Sequence, residues 1–439
     1  MKRLTLLTIA VLVGLSGCAT FRGAMSIDAP NQRAIEEVAS GKRQEANAAW
    51  WGFTEEDSTK CLQAALDSGA RTVVVPKMYA PWTVTPLTLG SDIEVVFEPG
   101  VVVMAKKGEF KGRGDSLFRA TNQRNITLRG QDAVLRMRKA DYQSDAYERA
   151  EWRMCLSLSG CTGLHIEGLH LESSGGDGIY LGATTEQPYC KDVVIRNVVC
   201  HDNHRQGISV IGAENLLIED CVLSNTGGTS PEAGIDLEPN HDSEKLVNCI
   251  IRRCVMVGND GAGVLLYLKN LSKATAPVSV YVEDCLMRNN KDAGIAIGAV
   301  KDDGPQGVIE FRNCTIDGSG WAGAYVYDKS AQNVRVRFVD CTWRNVWPNI
   351  DPKRDGPQVP LLINLARPQL TEGQGGIDFV DCHVYDDKDR PVLVAEEGKS
   401  AFGLRDVTGT ITVHNPHGAR ADFGPNPANV GLQVVPASE

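Results

Sequence analysis

The sequence contains 439 residues, of which 42% are hydrophobic and 23% charged, as is typical of a globular protein with one large domain or two to three ordinary ones. Its formal net charge is −10. Because nucleic-acid binding depends on clustered Lys and Arg, this charge argues against a nucleic-acid partner. It would also weakly repel an acidic polysaccharide unless a basic groove or a bound cation compensated locally.

Residues 1–17 are predicted to be a bacterial lipoprotein signal peptide. Lys2 and Arg3 precede the apolar run LTLLTIAVLVGL, which is too short to span a membrane as a mature helix. The run ends in LSGC, which resembles a lipobox, and this resemblance implies cleavage before Cys18 and lipidation of Cys18. Ala19 is not the Asp that usually retains lipoproteins in the inner membrane. We therefore expect an outer-membrane lipoprotein, periplasmic or on the cell surface, that contacts the membrane only through its lipid; the alternative is an ordinary secretory signal.

A tether with one polar helix (residues 18–51) and a short helical cap are expected next. The stretch EEDSTKCLQAALDSG has an acidic start, apolar residues at helical spacing and a terminal Gly, which together predict a helix. The Val-rich strand TVVVP follows it. This order resembles the N-terminal region of the pectate-lyase-like superfamily, and the resemblance implies a helix that caps one end of a solenoid.

A repeat then occupies most of the chain. A Gly followed by an aliphatic residue recurs in steps of 29, 27, 29, 31 and 29 residues, at Gly178, Gly207, Gly234, Gly263, Gly294 and Gly323. A second strand-like segment, such as LLIEDCVL or CIIRRCVM, lies between these positions. The helix-forming segment of leucine-rich repeats is missing. The pattern therefore predicts an all-β fold, a right-handed parallel β-helix solenoid over residues 52–395, with the short helical cap before it and closing strands in residues 396–439.

One Cys recurs in the second segment of the repeat, so stacked coils would place these thiols in a ladder inside the solenoid. The ladder is predicted to contain Cys221, Cys254, Cys285, Cys314, Cys341 and Cys382. Buried Cys packs as a small hydrophobe, and side chains stacked in register point the same way, so we expect thiols here. Cys155, Cys161, Cys190 and Cys249 lie off the ladder and are the better disulfide candidates in an exported chain.

The segment PEAGIDLEPNHD differs from its relatives in the repeat because it carries two acids, Asp236 and Glu238, in the strand. Alternate strand residues point outward, so both acids are predicted on the outer, solvent-facing wall. Stacking the coils gives two outward columns, one of Tyr180, Ser209, Asp236, Leu265, Ala296 and Tyr325 and the other of Gly182, Ile211, Glu238, Tyr267, Gly298 and Tyr327. Acids, imidazoles, an Arg and Tyr rings thus converge on about four coils, which suits a sugar site.

The predicted catalytic residues are Asp236, Glu238, Asp177 and His204. The predicted substrate-binding residues are Arg205, Tyr180, Asp260, Tyr267, Lys269, Tyr325 and Tyr327. Each has an ordinary alternative: an outward acid is often only solvated, Asp177 suits a turn, and Tyr is common in strands. No metal site or cofactor is predicted, although Asp236, Glu238 and Asp242 could bind Ca²⁺ through oxygen ligands.

Two segments partly resemble motifs of the polygalacturonase-like glycosidases. GGDGIYLG resembles the Gly-Asp-Asp motif, with Gly176 where its first acid would stand. NHRQGISVIG resembles a loosened Gly-His-Gly motif, with His204 nearest to the imidazole, whereas the Arg-Ile-Lys motif has only YLK at Tyr267 to Lys269 as a poor counterpart. The catalytic trio of these enzymes therefore cannot be transferred intact to this chain.

Three functions remain open at this point. The first is a glycoside hydrolase of the cell envelope that acts on a polysaccharide, with Asp236 or Glu238 as base or nucleophile and Asp177 or Asp260 as the proton donor. The second is a polysaccharide lyase or uronate epimerase, in which His204, Arg205 and Lys269 would supply the base and neutralise the uronate. The third is a non-catalytic solenoid that binds surface glycans. The acidic net charge favours the hydrolase.

Overall fold

The structure is a computed structural model that describes residues 29–349, 356–366, 370–397 and 403–438. The predicted signal peptide, the lipidation site Cys18 and the first part of the tether lie outside these residues. None of the helices in the described ranges is both long enough and apolar enough to cross a membrane.

Strands dominate the described part of the chain, and the helices are short. The helices are α1 (Gln32–Ala39), α2 (Thr59–Leu66) and α3 (Lys139–Tyr142), with a 3-10 turn at Ala48–Trp51. The strands are β1 (Glu45–Asn47), β2 (Thr72–Val75), β3 (Trp82–Val84), β4 (Leu87–Thr88), β5 (Ile93–Phe97), β6 (Val102–Ala105), β7 (Phe118–Thr121), β8 (Arg124–Arg136), β9 (Leu156–Ser159), β10 (Thr162–Glu172), β11 (Ile179–Gly182), β12 (Cys190–Arg196), β13 (Val199–His201), β14 (Ile208–Val210), β15 (Ala213–Glu219), β16 (Val222–Ser224), β17 (Ile235–Leu237), β18 (Leu246–Arg252), β19 (Val255–Val257), β20 (Val264–Tyr267), β21 (Val278–Glu283), β22 (Leu286–Arg288), β23 (Ile295–Val300), β24 (Gly307–Arg312), β25 (Thr315–Asp317), β26 (Ala324–Lys329), β27 (Arg335–Val339), β28 (Thr342–Arg344), β29 (Leu361–Asn364), β30 (Gln374–Tyr385), β31 (Leu393–Glu396), β32 (Leu404–His414), β33 (Ala421–Asp422) and β34 (Ala428–Pro436).

The strands form the walls of a parallel β-helix. One wall is a twelve-stranded sheet that takes one strand from each coil, in chain order. Its strands are β4, β7, β9, β11, β14, β17, β20, β23, β26, β29, β31 and β33. The remaining strands form a 22-stranded sheet that supplies the other walls. β1 pairs with β2 and β34 pairs with β32, both in parallel, so the stacked strands extend beyond the predicted range of residues 52–395 at both ends.

Aliphatic side chains fill the inside of the solenoid because alternate strand residues point inward. Along the twelve-stranded sheet one such column is in register from coil to coil and fully buried; it contains Ile179, Ile208, Ile235, Val264 and Ile295. At one end of the solenoid α2 buries Leu62, Ala65 and Leu66, which confirms the predicted helical cap.

The recurring Gly residues stand where the backbone of the next coil comes closest. A Cβ atom placed on Gly178 would lie 2.7 Å from the carbonyl oxygen of Gly207, and one on Gly207 would lie 2.5 Å from that of Gly234. The same approach, at 2.7 Å, recurs at Gly234 and Gly263. Side chains do not tolerate such distances, so the repeat keeps Gly at this corner for steric reasons.

The thiols are arranged as the sequence predicts. The six ladder cysteines are buried, and each Sγ faces a backbone carbonyl, as in the 3.3 Å contact from Cys341 to Phe311. Every Cys in the described ranges is a free thiol. The disulfides considered for Cys155, Cys161, Cys190 and Cys249 are therefore not formed, and all four thiols are buried in the apolar core.

Candidate active site

Asp236 and Glu238 lie at the outer side of the twelve-stranded sheet. Asp236 is the central residue of β17, and its neighbours along the stack are Ser209 on β14 and Leu265 on β20, as the predicted column requires. Neighbouring strands are about 4.8 Å apart, so each acid has room for one side chain of the next coil on either side. Neither Ser209 nor Leu265 can neutralise a carboxylate.

Asp236 is not exposed to solvent, which corrects the sequence prediction. Its residue exposure is 1%, although it points away from the apolar core. Gln206 Nε2, from the turn before β14, donates a hydrogen bond of 3.0 Å to Asp236 Oδ2. Gln206 Oε1 accepts a bond of 2.8 Å from the backbone N–H of Ala233, which fixes the amide in place. The strand period gave the correct side of the sheet, but these turn residues cover it.

Arg205 holds four carboxyl groups together. Its Nη2 lies 3.4 Å from Glu238 Oε2, and its Nε lies 3.5 Å from Glu151 Oε2. The buried carboxyls of Asp177, two coils before β17, and of Asp236 also interact electrostatically with this guanidinium. We call Glu151, Asp177, Asp236 and Glu238 the carboxyl cluster. Only Glu238 and Glu151 reach solvent, with side chains that are 28% and 30% exposed.

Two members of the cluster hold protons more tightly than ordinary carboxyls. Burial raises the pKa of Asp177 to about 7, against the opposing effect of Arg205. Burial also raises the pKa of Asp236 well above its usual range, and the adjacent Glu238 raises it further. Both oxygens of Asp177 and Oδ1 of Asp236 are buried without a hydrogen-bond partner among the described residues. One arginine cannot stabilise four ionised carboxylates, so the cluster retains protons near neutral pH.

His204 belongs to a different network. Gln143 Nε2 lies 2.8 Å from its Nδ1, and Thr229 Oγ1 lies 2.8 Å from its Nε2. Burial lowers the pKa of His204, and the cations Lys139 and Arg153 lower it further. The ring is therefore neutral at pH 7 with both nitrogens engaged, so the structure does not bring it into the carboxyl cluster as a base.

The remaining predicted residues separate into near and distant ones. Tyr180 is half-buried beside Asp177, and Tyr267 lies one coil from Glu238 in the second column. Lys269 is half-buried two residues beyond Tyr267. Asp260 lies outside the cluster, with its carboxylate 2.6 Å from Lys291 Nζ at the surface.

Tyr325 and Tyr327 are also distant from the acids. They stand on β26, three coils from β17, which corresponds to about 14 Å. Their rings stack with centroids 4.6 Å apart. The two outward columns are thus in the predicted register, and of their Tyr residues Tyr180 and Tyr267 lie near the acids, whereas Tyr325 and Tyr327 do not.

Two cavities flank the carboxyl cluster. One, of about 440 Å³, lies before the strands and is lined by Glu151, Trp152, His204, Thr229, Arg113 and Arg149, among others. The other, of about 820 Å³, lies after the strands and is lined by Tyr180, Thr184, Ile211, Asn240, His241 and Glu244, among others. We call them the Trp152 cavity and the Tyr180 cavity. Glu151 is the member of the carboxyl cluster that lines the Trp152 cavity.

Glu151 and Gln206 were missed by sequence reasoning. Gln206 directly follows the predicted Arg205 in the same turn, and this position could have identified it as a neighbour of the acids. Glu151 comes from the irregular segment between α3 and β9, which is outside the repeat. Within the described ranges no three His, Cys, Asp or Glu side chains are grouped so as to hold a metal ion.

The fold and its register define a right-handed parallel β-helix protein. The family model for the "Right handed beta helix region" matches residues 150–338, which include every member of the carboxyl cluster.

Two curated proteins are similar in sequence to parts of this chain. The chain is 28% identical over 251 residues to the uncharacterised protein YclG of Bacillus subtilis (strain 168), across 50% of this chain and 42% of that protein. It is 26% identical over 163 residues to the prophage-derived YorA of the same organism, across 35% of this chain and 28% of that protein. The chain thus spans less than half the length of the curated relatives it matches.

Solved structures with the same architecture include two enzymes with different named substrates. The family 28 exopolygalacturonase of Yersinia enterocolitica has a TM-score of 0.56 at 12% identity, over 89% of this chain and 78% of that one. The catalytic unit of the GH87 alpha-1,3-glucanase of Streptomyces thermodiastaticus strain HF3-3 has a TM-score of 0.57 at 15% identity, over 90% and 69%. At such identities the likeness establishes the fold alone.

Proposed function

We propose that the protein is a carbohydrate-active enzyme, a glycoside hydrolase that cleaves a polysaccharide at the carboxyl cluster. The observation that carries this proposal is the grouping of four carboxyls around one arginine, two of them with raised pKa values. Glycosidases need one carboxyl that holds a proton and one that is ionised, on either side of the scissile bond. The named activities of the solved neighbours are consistent with such chemistry on this fold.

The exposures of the acids assign their roles. Asp236 is too deeply buried to touch a sugar, whereas Glu238 beside it reaches the surface. Asp236 therefore stores the proton, and Glu238 delivers it to the glycosidic oxygen. Glu151 faces this pair across the Arg205 guanidinium and serves as the base that activates water. Arg205 positions both carboxyls through its contacts with Glu151 and Glu238.

A lyase or uronate epimerase has less support. Such enzymes need a base at the sugar and a cation that neutralises the uronate, yet both nitrogens of His204 are engaged and Arg205 already faces four acids.

The location of the protein is proposed from its sequence. The LSGC motif supports an outer-membrane lipoprotein that is anchored through Cys18 and is periplasmic or at the cell surface.

A polysaccharide panel tests the reaction. The full chain is incubated with neutral and acidic glycans, with and without a chelator, while reducing ends and ultraviolet-absorbing unsaturated products are followed. We expect reducing ends without unsaturation and without sensitivity to the chelator. Unsaturated products would instead identify a lyase, and binding without either product would identify a glycan-binding solenoid.

A further inference from the structure

Arg205 is the cation that the described residues bring into the carboxyl cluster, and its charge is already shared. Its guanidinium faces Asp177, Asp236, Glu151 and Glu238. Even with Asp177 and Asp236 protonated, two carboxylates remain for one positive charge. A sugar carboxylate placed beside Glu238 would meet an excess of negative charge at a few ångströms in a partly buried site, where repulsion is only weakly screened.

The Tyr180 cavity offers no positive charge to an acidic sugar either. Its described lining includes no Lys or Arg; it presents the hydroxyls of Thr184 and Ser243, the amide of Asn240 and the ring of Tyr180. Glu244, 3% exposed, accepts a hydrogen bond of 3.1 Å from the backbone N–H of His241. Hydroxyls, an amide and an aromatic ring are the groups that recognise an uncharged pyranose.

Most of the cationic side chains near the Trp152 cavity form ion pairs with acids outside the carboxyl cluster. Arg113 pairs with Glu148 at 3.4 Å and stands over the ring of Trp152, 4.8 Å from its centroid. Lys139 Nζ lies 2.8 Å from Asp202 Oδ1. Arg149 lines the same cavity as Glu151 but is exposed, so solvent and salt screen its attraction for an anionic group.

From these charges we propose that the sugar units bound at the carboxyl cluster and in the Tyr180 cavity are uncharged, so that the protein acts on a neutral glycan rather than a polyuronate. This inference rests on the proposed function only for its choice of site. It concerns binding, and can therefore be tested without turnover.

The test is a calorimetric comparison of oligosaccharides of equal length. Gluco-oligosaccharides linked α-1,3 and β-1,4 and β-1,4-manno-oligosaccharides form the neutral set; oligogalacturonate and oligomannuronate form the acidic set. The Asp236→Asn variant of the full chain is used so that no ligand is consumed. We expect at least one neutral ligand to bind and both uronates to bind at least tenfold more weakly. This affinity gap, the ratio of the Kd values of the uronates to that of the neutral ligand, should narrow as salt is added.

Variants that remove charge from the carboxyl cluster show whether its negative charge causes the affinity gap between neutral and acidic ligands. Glu151→Gln combined with Glu238→Gln removes two negative charges and should reduce the gap at least threefold. Asp192→Asn combined with Asp284→Asn is the matched control on the 22-stranded sheet; both residues have positive φ, which Asn tolerates, and the gap should not change.

The outcomes separate this inference from the proposed function. A uronate that binds as tightly as every neutral ligand, or a neutral set in which nothing binds, overturns the inference. Hydrolysis of a uronate polymer by the wild-type chain would keep the hydrolase and remove the neutral substrate. A neutral ligand that binds but is never cleaved would keep the neutral substrate and remove the hydrolase.

Discussion

Glu219 and Asp236 are two buried acids on the outside of the same solenoid, and their surroundings have opposite effects. Glu219 ends β15 on the 22-stranded sheet, and its neighbours along the stack are Arg196 and Arg252. Their guanidinium nitrogens lie 2.5 and 2.7 Å from its oxygens, and Arg253 adds a third contact at 2.6 Å. Asp236 has Ser209 and Leu265 in the equivalent positions.

The difference shows that nearby arginines can outweigh burial: three of them do so at Glu219, whereas Arg205, which is shared among four carboxyls, does not do so at Asp236. Glu219 is 2% exposed and Asp236 is 1% exposed, so the two are almost equally hidden. Hydrogen bonds from three arginines lower the pKa of Glu219 to about 2, whereas the pKa of Asp236 is raised. Glu219 on the 22-stranded sheet is thus held as a carboxylate, whereas Asp236 on the twelve-stranded sheet holds its proton more tightly.

The largest expected effect is on turnover. Glu238→Gln should lower kcat/KM on the glycan found in the panel by about 10²–10⁴-fold, because the amide cannot deliver a proton. The melting temperature should hardly change, since the contact with Arg205 is a loose 3.4 Å. Activity within tenfold of the wild type would take Glu238 out of the reaction.

The pH dependence of stability should differ between the walls. Folded Asp177 keeps its proton up to about pH 7, while the unfolded carboxyl loses it near its ordinary value of 3.8. The folded state therefore binds more protons in this window, and Asp177 destabilises the protein as the pH rises through it. Asp177→Asn should gain stability relative to the wild type between pH 4 and 8, by a difference of the order of 3 kcal/mol. Urea unfolding at several pH values measures this, and parallel curves for the two proteins would contradict it.

Glu219→Gln should cost stability at neutral pH, by about 2 kcal/mol, because three arginines lose their charged acceptor. The wild-type contribution of Glu219 is present above about pH 4.5 and is lost as the pH falls toward 2, opposite in sign to the effect of Asp177. Thermal unfolding at pH 7 and pH 3 tests this prediction. A variant equally stable at pH 7 would show that the arginine contacts contribute nothing net.

The smallest effect is expected at Asp260, whose side chain is 39% exposed and paired with Lys291. Asp260→Asn should change the unfolding free energy by less than about 0.5 kcal/mol and leave turnover unaltered, because exposed ion pairs contribute little. It is also the control for Glu238→Gln, as an acid of the neighbouring coil outside the cluster. A loss of activity here would mean that the site extends past β17.

The sequence repeat was enough to predict the solenoid, but it did not predict the turn residues that bury Asp236. The Gly and Cys positions repeat with each coil, so spacing alone placed Asp236 beside Ser209 and put Cys254 in the ladder. Asp177 and Asp260 both precede a Gly-aliphatic strand, but Asp177 lies directly before Gly178 and is buried, whereas Asp260 lies three residues before Gly263 and pairs with Lys291. Glu151 belongs to a segment without a repeat, whose path depends on long-range packing that periodicity does not encode.

The repeated Gly corner allows the chain to gain coils during evolution. At this corner the backbone approaches the next coil closely, at Gly178, Gly207, Gly234 and Gly263. Each coil meets its neighbours through the same corner, so a tandem duplication of one segment of about 29 residues would add a coil whose contacts are already provided for. Loss of a segment would be tolerated in the same way outside β11, β14 and β17. Arg205, on the middle coil of these three, faces Asp177 from the coil before it and both Asp236 and Glu238 from the coil after it. The length of the solenoid is therefore free to change, whereas the function proposed for the carboxyl cluster requires these three coils to stay consecutive.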